Sequence, residues 1–252
     1  MKKNIAVLLM LSMLFINTVH AAYPTDFNVV YQLNKIGMNA AETRITLNKQ
    51  NKGSWLYNSQ TITKGLVSVF RKDKISEQTL ISDVDGTPRP VSYQYIHKGS
   101  KKNRNRSISF DWKNKIAHTN SRGHKDQFSI TDDVIDGFSL QLRIMDDLDE
   151  GKTKLEYNTI YKGQLKPYTF EMLGKELIET TVGKFNSIKI KRTRKNGKRT
   201  TIMWLATELH YLPVKIQHIE KDGTDFSLTI SQISGPITGG KVYGKTTDDS
   251  DE

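Results

Sequence analysis

Cysteine is absent from all 252 residues. That excludes disulfide bracing, thiol catalysis and thiolate metal sites. Proline is scarce, at six residues, and no stretch reads as a linker or as a repeat of fixed period. Acidic charge is in deficit: 27 Asp and Glu stand against 38 Lys and Arg, a formal net charge of +11. Long apolar runs are missing except at the start. There Ile5 to Ile16 is broken only by Ser12, after Lys2 and Lys3 and before Val19-His20-Ala21. The run is shorter than the ~20 residues a membrane span needs. A positive start, a short apolar centre and small residues at the cut positions read as a secretory signal peptide over 1–21.

What remains divides into a single β-rich domain over 22–237 and a flexible acidic tail over 238–252, where Asp248, Asp249, Asp251 and Glu252 cluster. No cysteine follows the cut site, so the expected product is an exported, periplasmic protein without a lipid anchor. Leader and tail set aside, the body is basic.

Within that body the hydrophobic period is two, the signature of half-buried strands. Phe27, Val29, Tyr31 and Leu33 alternate with polar neighbours, as do Ala41, Thr43, Ile45 and Leu47. Trp55, Tyr57, Ser59 and Thr61 follow, then Val91, Tyr93 and Tyr95, then Ile108, Phe110 and Trp112. Turn residues at Asn51-Lys52-Gly53, Asp85-Gly86 and Lys113-Asn114 separate the runs at short intervals. Antiparallel meanders fit this spacing; repeated crossover helices do not.

Two hairpins can be registered. Asn196-Gly197 predicts a two-residue type I′ loop. It sets Lys195 against Lys198, Arg194 against Arg199, Ile190 against Met203 and Ile188 against Leu205, which collects the apolar residues on one face. The reverse face opposes Lys191 to Ile202 and Lys189 to Trp204. Further on, a three-residue loop Lys221-Asp222-Gly223 opposes Ile216 to Leu228 and His218 to Phe226. A two-residue Asp-Gly loop would oppose Gln217 to Leu228, so the hydrophobic pattern selects the longer loop.

One segment reads as a helix, Asp132 to Leu148, with Val134, Phe138, Leu142 and Met145 at helical spacing and Asp132 or Asp133 as cap. Gly137 argues against it. A shorter turn or single-turn helix is expected at Leu66 to Phe70, after Gly65.

Five stretches, taken in order, carry a resemblance: "GLVSVFRKDKISEQ" from 65, "PRPVSYQY" from 88, "DGFSLQLRI" from 136, "GKELIETTVGKFNSIKIKR" from 174 and "WLATELHYLPVKIQ" from 204. With them the chain resembles the bacterial domain of unknown function 3108 family, secreted or envelope-located proteins, over most of Phe27 to Ile233. The resemblance implies location and an all-β fold, and no activity. Such chains also look like lipoprotein-carrier half-barrels. The fold class expected is therefore all-β and mainly antiparallel: a curved sheet or open half-barrel with one or two short helices.

Catalytic and metal chemistry find little support. His97, His118, His124, His210 and His218 form no HxH or HxxxH pair, so no metal and no cofactor is expected. Glu176 and Glu179 would face opposite sides of a strand, and the plain reading is that Glu176 satisfies a nearby Lys or Arg. Asp136, Ser139 and Arg143 share a helix side in the helical reading, which permits an Asp–Arg contact. Ser139 has no evident base. No GxSxG, P-loop or dinucleotide fingerprint occurs.

The aromatic residues Tyr93, Tyr95, Phe110 and Trp112 are candidates to line an apolar cleft, although core packing is the commoner use. Two basic stretches are candidates for its rim: Lys98, Lys101, Lys102, Arg104 and Arg106 in one, and Lys191, Arg192, Arg194, Lys195, Lys198 and Arg199 in the other. Opposed like charges weaken a hairpin, which hints at a role, against solvation and edge protection as plain readings.

The functional expectation is a non-catalytic binder of an amphipathic or anionic envelope component, a lipid or lipid-linked ligand. An envelope assembly factor with an acidic protein partner is the first alternative. An enzyme of glycan or lipid without a recognisable motif is the second, and it calls for a buried polar cluster with shifted pKa values. Contact with the membrane would be peripheral. Export argues against nucleic acid despite the charge.

Overall fold

A computed structural model describes residues 25–35, 37–50, 53–70, 72–99, 103–193 and 199–239. The leader expected over 1–21, the part of the expected tail from 240 on, and Lys101, Lys102, Arg194, Lys195, Lys198 and the turn expected at Asn196-Gly197 lie outside the described residues.

Among the described residues fifteen strands form one sheet. They are β1 (Phe27–Lys35), β2 (Met38–Lys49), β3 (Ser54–Thr63), β4 (Lys74–Val84), β5 (Thr87–Lys98), β6 (Arg104–Asp111), β7 (Ile116–Ser121), β8 (His124–Ser129), β9 (Val134–Asp136), β10 (Leu155–Tyr161), β11 (Gln164–Thr180), β12 (Gly183–Thr193), β13 (Thr200–Ala206), β14 (Leu212–Ile219) and β15 (Asp225–Ser234). The helices are α1 (Gly65–Phe70), between β3 and β4, and α2 (Leu140–Asp149), between β9 and β10. The strand order is β8-β7-β6-β5-β4-β3-β2-β1-β15-β14-β13-β12-β11-β10-β9. Each arm is a meander of chain neighbours, and the arms join where β1 pairs antiparallel with β15. Every ladder is antiparallel except β9 with β10, whose parallel pairing needs a crossover, supplied by α2.

The registered hairpins match. Ile188 faces Leu205, Lys189 faces Trp204, Ile190 faces Met203 and Lys191 faces Ile202. Ile216 faces Leu228 and His218 faces Phe226, with the loop closed by Glu220 N donating to Thr224 O at 2.8 Å and Gly223 at φ +80°. Lys189 Nζ lies 5.0 Å from the Trp204 ring, as the register requires.

The sheet curls around α2. One side of the helix, Leu142 and Met145, packs with Phe27, Leu47, Tyr57 and Ile81. Its other side, Leu140, Ile144 and Leu148, packs with Ile188, Ile190, Met203 and Leu205. Each such buried side chain contributes about 1.5–3 kcal/mol relative to exposure. The β9 edge then crosses the inner face of the opposite arm. Ile130 N donates to Lys115 O at 2.9 Å, and Val134 and Ile160 pack with Phe110, Trp112 and Ala117. The half-barrel is thus filled by a helix and nearly closed by its own far edge. Among the described residues no helix is long and apolar enough to cross a membrane, which leaves strands aside.

The helix expected over 132–148 is shorter than the pattern suggests. Val134 to Asp136 is strand, and α2 begins at Leu140. The cause is Asp136, whose Oδ1 accepts from Phe138 N and Ser139 N at 2.9 Å each and fixes a turn in place of a first helical turn. Neither expected cap acts as one. Asp132 accepts from Arg89 and Lys115, and Asp133 from Thr131 Oγ1 and Asn158 Nδ2. The Asp136–Arg143 helix contact is replaced by Ser139 Oγ donating to Asp136 Oδ2 at 2.6 Å. Gly137 has its own reason: a Cβ there would lie 2.9 Å from Cδ2 of Tyr161. The α1 helix falls where Gly65 and Leu66–Phe70 place it.

Candidate functional site

In an antiparallel meander alternate connections fall at the same end of the sheet. Here one end collects the β1–β2, β3–β4, β5–β6, β7–β8, β10–β11, β12–β13 and β14–β15 connections. Lys35, Lys64, Lys72, Lys98, Arg122, Lys162 and Lys221 belong to it. The opposite end carries Asp26, Asp83, Asp85, Asp132, Asp149 and Glu150, interleaved with Lys49, Lys113, Lys115, Lys152 and Lys184, while Asp73, Glu220 and Asp222 lie at the first end. Topology therefore gives one end an excess of basic residues and leaves the other mixed.

At the cationic end lies a concavity of about 700 Å³, lined by Lys72, Lys74, Ile96, His97, Lys98, Gly99, Asn103, Arg104 and Asn105. Lys98 and Arg104 were singled out from sequence; Lys72 and Lys74 were not. The β4–β5 register sets Lys74 directly opposite Lys98, a pairing that costs stability without an anion. One acid stands close by, Asp73, whose Oδ1 is 3.5 Å from His97 Nε2. Strand alternation turns His97 and Arg104 to the inner face, opposite Lys74, Ile96 and Lys98, and there Arg104 Nε and both ring nitrogens of His97 are buried without a hydrogen-bond partner among the described residues.

Beside it, on the inner face, a polar cluster is buried. Tyr93 Oη donates to Glu77 Oε1 at 2.7 Å, and the Arg106 guanidinium lies 4.6 Å from the Tyr95 ring centre. Thr79 Oγ1 donates to Asp136 Oδ1 at 3.1 Å. Burial pushes Glu77 and Asp136 above the ordinary carboxylate range, Glu77 against the pull of its Tyr93 hydrogen bond and of Arg106, Asp136 against its four hydrogen bonds. This is the kind of cluster that the catalytic alternative calls for. Neither carboxyl, however, lines the concavities described here, and both are occupied by internal donors.

The remaining candidates are placed as follows. Phe110 and Trp112 stack with ring centres 5.5 Å apart inside the core, and Trp112 Nε1 donates to Pro90 O at 2.8 Å. Tyr93 and Tyr95 are partly buried and belong to the polar cluster. Arg106 is 8% exposed. On the second basic hairpin Lys191 pairs with Glu171 at 3.2 Å, Arg192 covers the Tyr168 ring at 4.0 Å, and Arg199 Nε pairs with Glu220 at 2.5 Å. Those cations are engaged within the protein, so the first basic stretch carries the stronger case. Glu176 accepts from Trp204 Nε1 at 2.9 Å and Lys189 Nζ at 3.0 Å, which hold it below its ordinary range. No group of three His, Asp or Glu among the described residues could hold a metal.

A larger trough, about 920 Å³, lies on the outer face across β3 to β8. Gln78, Ser92, Gln94, Ser107, Ser109, His118 and Asn120 line it with amides and hydroxyls, and Leu56 and Leu80 add an apolar border. Its charged residues are one of each sign, Lys125 and Asp126, in place of a cluster of cations.

The fold has a solved counterpart. A β-barrel-like protein of domain of unknown function DUF1849 from Brucella abortus superposes with a TM-score of 0.57 at 9% identity, covering 84% of this chain and 98% of that one. A putative outer membrane lipoprotein-sorting protein domain from Vibrio parahaemolyticus matches with a TM-score of 0.25 at 10% identity, over 91% and 89%. No curated protein matches. The family model described as protein of unknown function (DUF3108) matches residues 26–231, and the chain belongs to that family.

Proposed function

We propose that this protein binds, without transforming, an anionic amphipathic component of the cell envelope, a phospholipid-like molecule whose headgroup enters the Lys72, Lys74 and Lys98 concavity. The observation that carries the reading is that concavity, in which Lys74 stands directly opposite Lys98 beside the apolar Ile96. A phosphate would relieve the Lys74–Lys98 repulsion by accepting from both ammonium groups. Export to the periplasm, read from the leader, supplies the compartment. The non-catalytic part rests on the buried carboxyls being tied to Tyr93, Thr79, Ser139 and the 138–139 backbone.

The test is recovery of lipid from an envelope extract by the wild-type protein and by a Lys72→Glu, Lys74→Glu, Lys98→Glu variant. The variant recovers several-fold less anionic phospholipid. Equal recovery from both discards the concavity as a headgroup site. A second reading, an envelope assembly factor, has one observation in its favour: β8 ends the sheet with a single ladder, to β7, so its outer edge could take a partner strand. Crosslinking in cells to one dominant protein would favour it.

A further inference from the structure

The β3–β4 connection ends in apolar side chains where a hairpin tip is ordinarily polar. Leu66 is 74% exposed, Val69 70% and Phe70 83%, and α1 buries none of its residues. The spacing of 66, 69 and 70 puts all three on one side of the helical turn. The base of the connection is held firmly. Lys64 N donates to Ala40 O at 3.0 Å, Asp73 N to Thr63 Oγ1 at 3.3 Å, and Gly65 adopts φ +58° against Asn39 O. An apolar tip on a fixed base loses little freedom on insertion.

We propose that this end of the protein docks on the surface of an anionic phospholipid bilayer, with Leu66, Val69 and Phe70 entering the interface. Charge chooses this occupant over a protein groove or a second copy. Lys64, Lys72, Lys74 and Lys98 lie around the tip with one acid, Asp73, whereas the far end of the strands carries acids and lysines together. An anionic surface therefore attracts this end more strongly than the other, which orients the protein before the apolar contact forms. Basic residues around exposed leucine and phenylalanine are what interfacial binding requires. The docked pose also presents the cationic concavity to the headgroups. The inference stands apart from the headgroup reading, because a bilayer can be engaged with or without extraction of one lipid.

Flotation with vesicles of phosphatidylethanolamine and phosphatidylglycerol tests it, using the whole protein and a Leu66→Ser, Val69→Ser, Phe70→Ser variant. All three side chains are exposed, so the variant keeps its fold, which urea unfolding verifies. The wild type floats, less at raised salt and less with phosphatidylcholine alone. The variant binds at least about tenfold more weakly. A Phe70→Trp protein shows blue-shifted emission that brominated acyl chains quench. Equal flotation of wild type and variant, or a Trp at 70 that stays unquenched, overturns the proposal. So does a wild-type dimer that the triple variant dissolves while neither protein floats, since α1 would then serve self-association. Binding of dihexanoylphosphatidylglycerol below its micelle concentration separates the two ideas: the α1 variant retains it, and the Lys72, Lys74, Lys98 variant loses it.

Discussion

Replacing Asp136 by Ala strips one acceptor from four donors at once. Thr79 Oγ1, Phe138 N and Ser139 N all donate to Oδ1, and Ser139 Oγ donates to Oδ2. Asp136, Thr79 and Ser139 are all buried, with 0%, 0% and 1% exposure, so water cannot replace the carboxyl. The hydroxyls can rotate toward other acceptors; the two backbone N–H groups cannot. Each buried donor left unmet costs about 1–3 kcal/mol, so the two backbone donors together should cost about 2–6 kcal/mol. That is a large part of the 5–15 kcal/mol typical of a whole domain. Asp136→Asn keeps Oδ1 and its three donors and turns an amide toward Ser139 Oγ, which can accept. It should lie within about 1.5 kcal/mol of wild type. Urea unfolding with an unchanged m value reads both. If Ala costs less than about 1 kcal/mol, or Asn costs as much as Ala, the turn and the start of α2 are not held by this carboxyl.

Asp146 gives a pH dependence: burial, reinforced by Glu150, pushes it up to about 6. Its folded value lies above its unfolded one, so its contribution is full below the ordinary carboxylate value and is lost as pH rises through about 6. The urea midpoint of wild type should fall relative to Asp146→Asn across that window; parallel profiles would refute the assignment. Gly65→Ala must accept a left-handed backbone and a Cβ 2.9 Å from Asn39 O. A loss of about 1–2 kcal/mol is expected from the backbone alone. A loss below about 0.5 kcal/mol would show that the base of α1 gives way.

Much of the sheet was readable because strand register is a local matter wherever a turn and an apolar face agree. Ile188, Ile190, Met203 and Leu205 could be aligned from Asn196-Gly197, and the alignment holds. The Lys74–Lys98 pair escaped the same procedure for a definite reason. Counting back from Asp85-Gly86 would oppose Lys74 to His97. A register shift between Leu80 and Ile81, beside Pro90, moves the partner to Lys98. A bulge leaves little trace in a period-two pattern, so the cation concavity stayed hidden while its two halves were visible. The helix start was missed because Val134 and Phe138 are apolar for different partners. Val134 packs with Phe110 and Ile160, and Phe138 stacks on Tyr57 with ring centres 4.1 Å apart. Helical spacing was coincidence there, and the turn-forming carboxyl of Asp136 decided the local structure.

The pairing of β1 with β15 has a kinetic meaning. Thirteen of the fourteen ladders link strands adjacent in the chain, and this one joins segments about two hundred positions apart, as Ser231 Oγ donating to Val30 O makes plain. Loop closure there is the costliest in the molecule, so the seam is where the rate of folding is set. The two arms can each assemble as soon as their own hairpins exist, but the filled barrel cannot form until the last strand arrives.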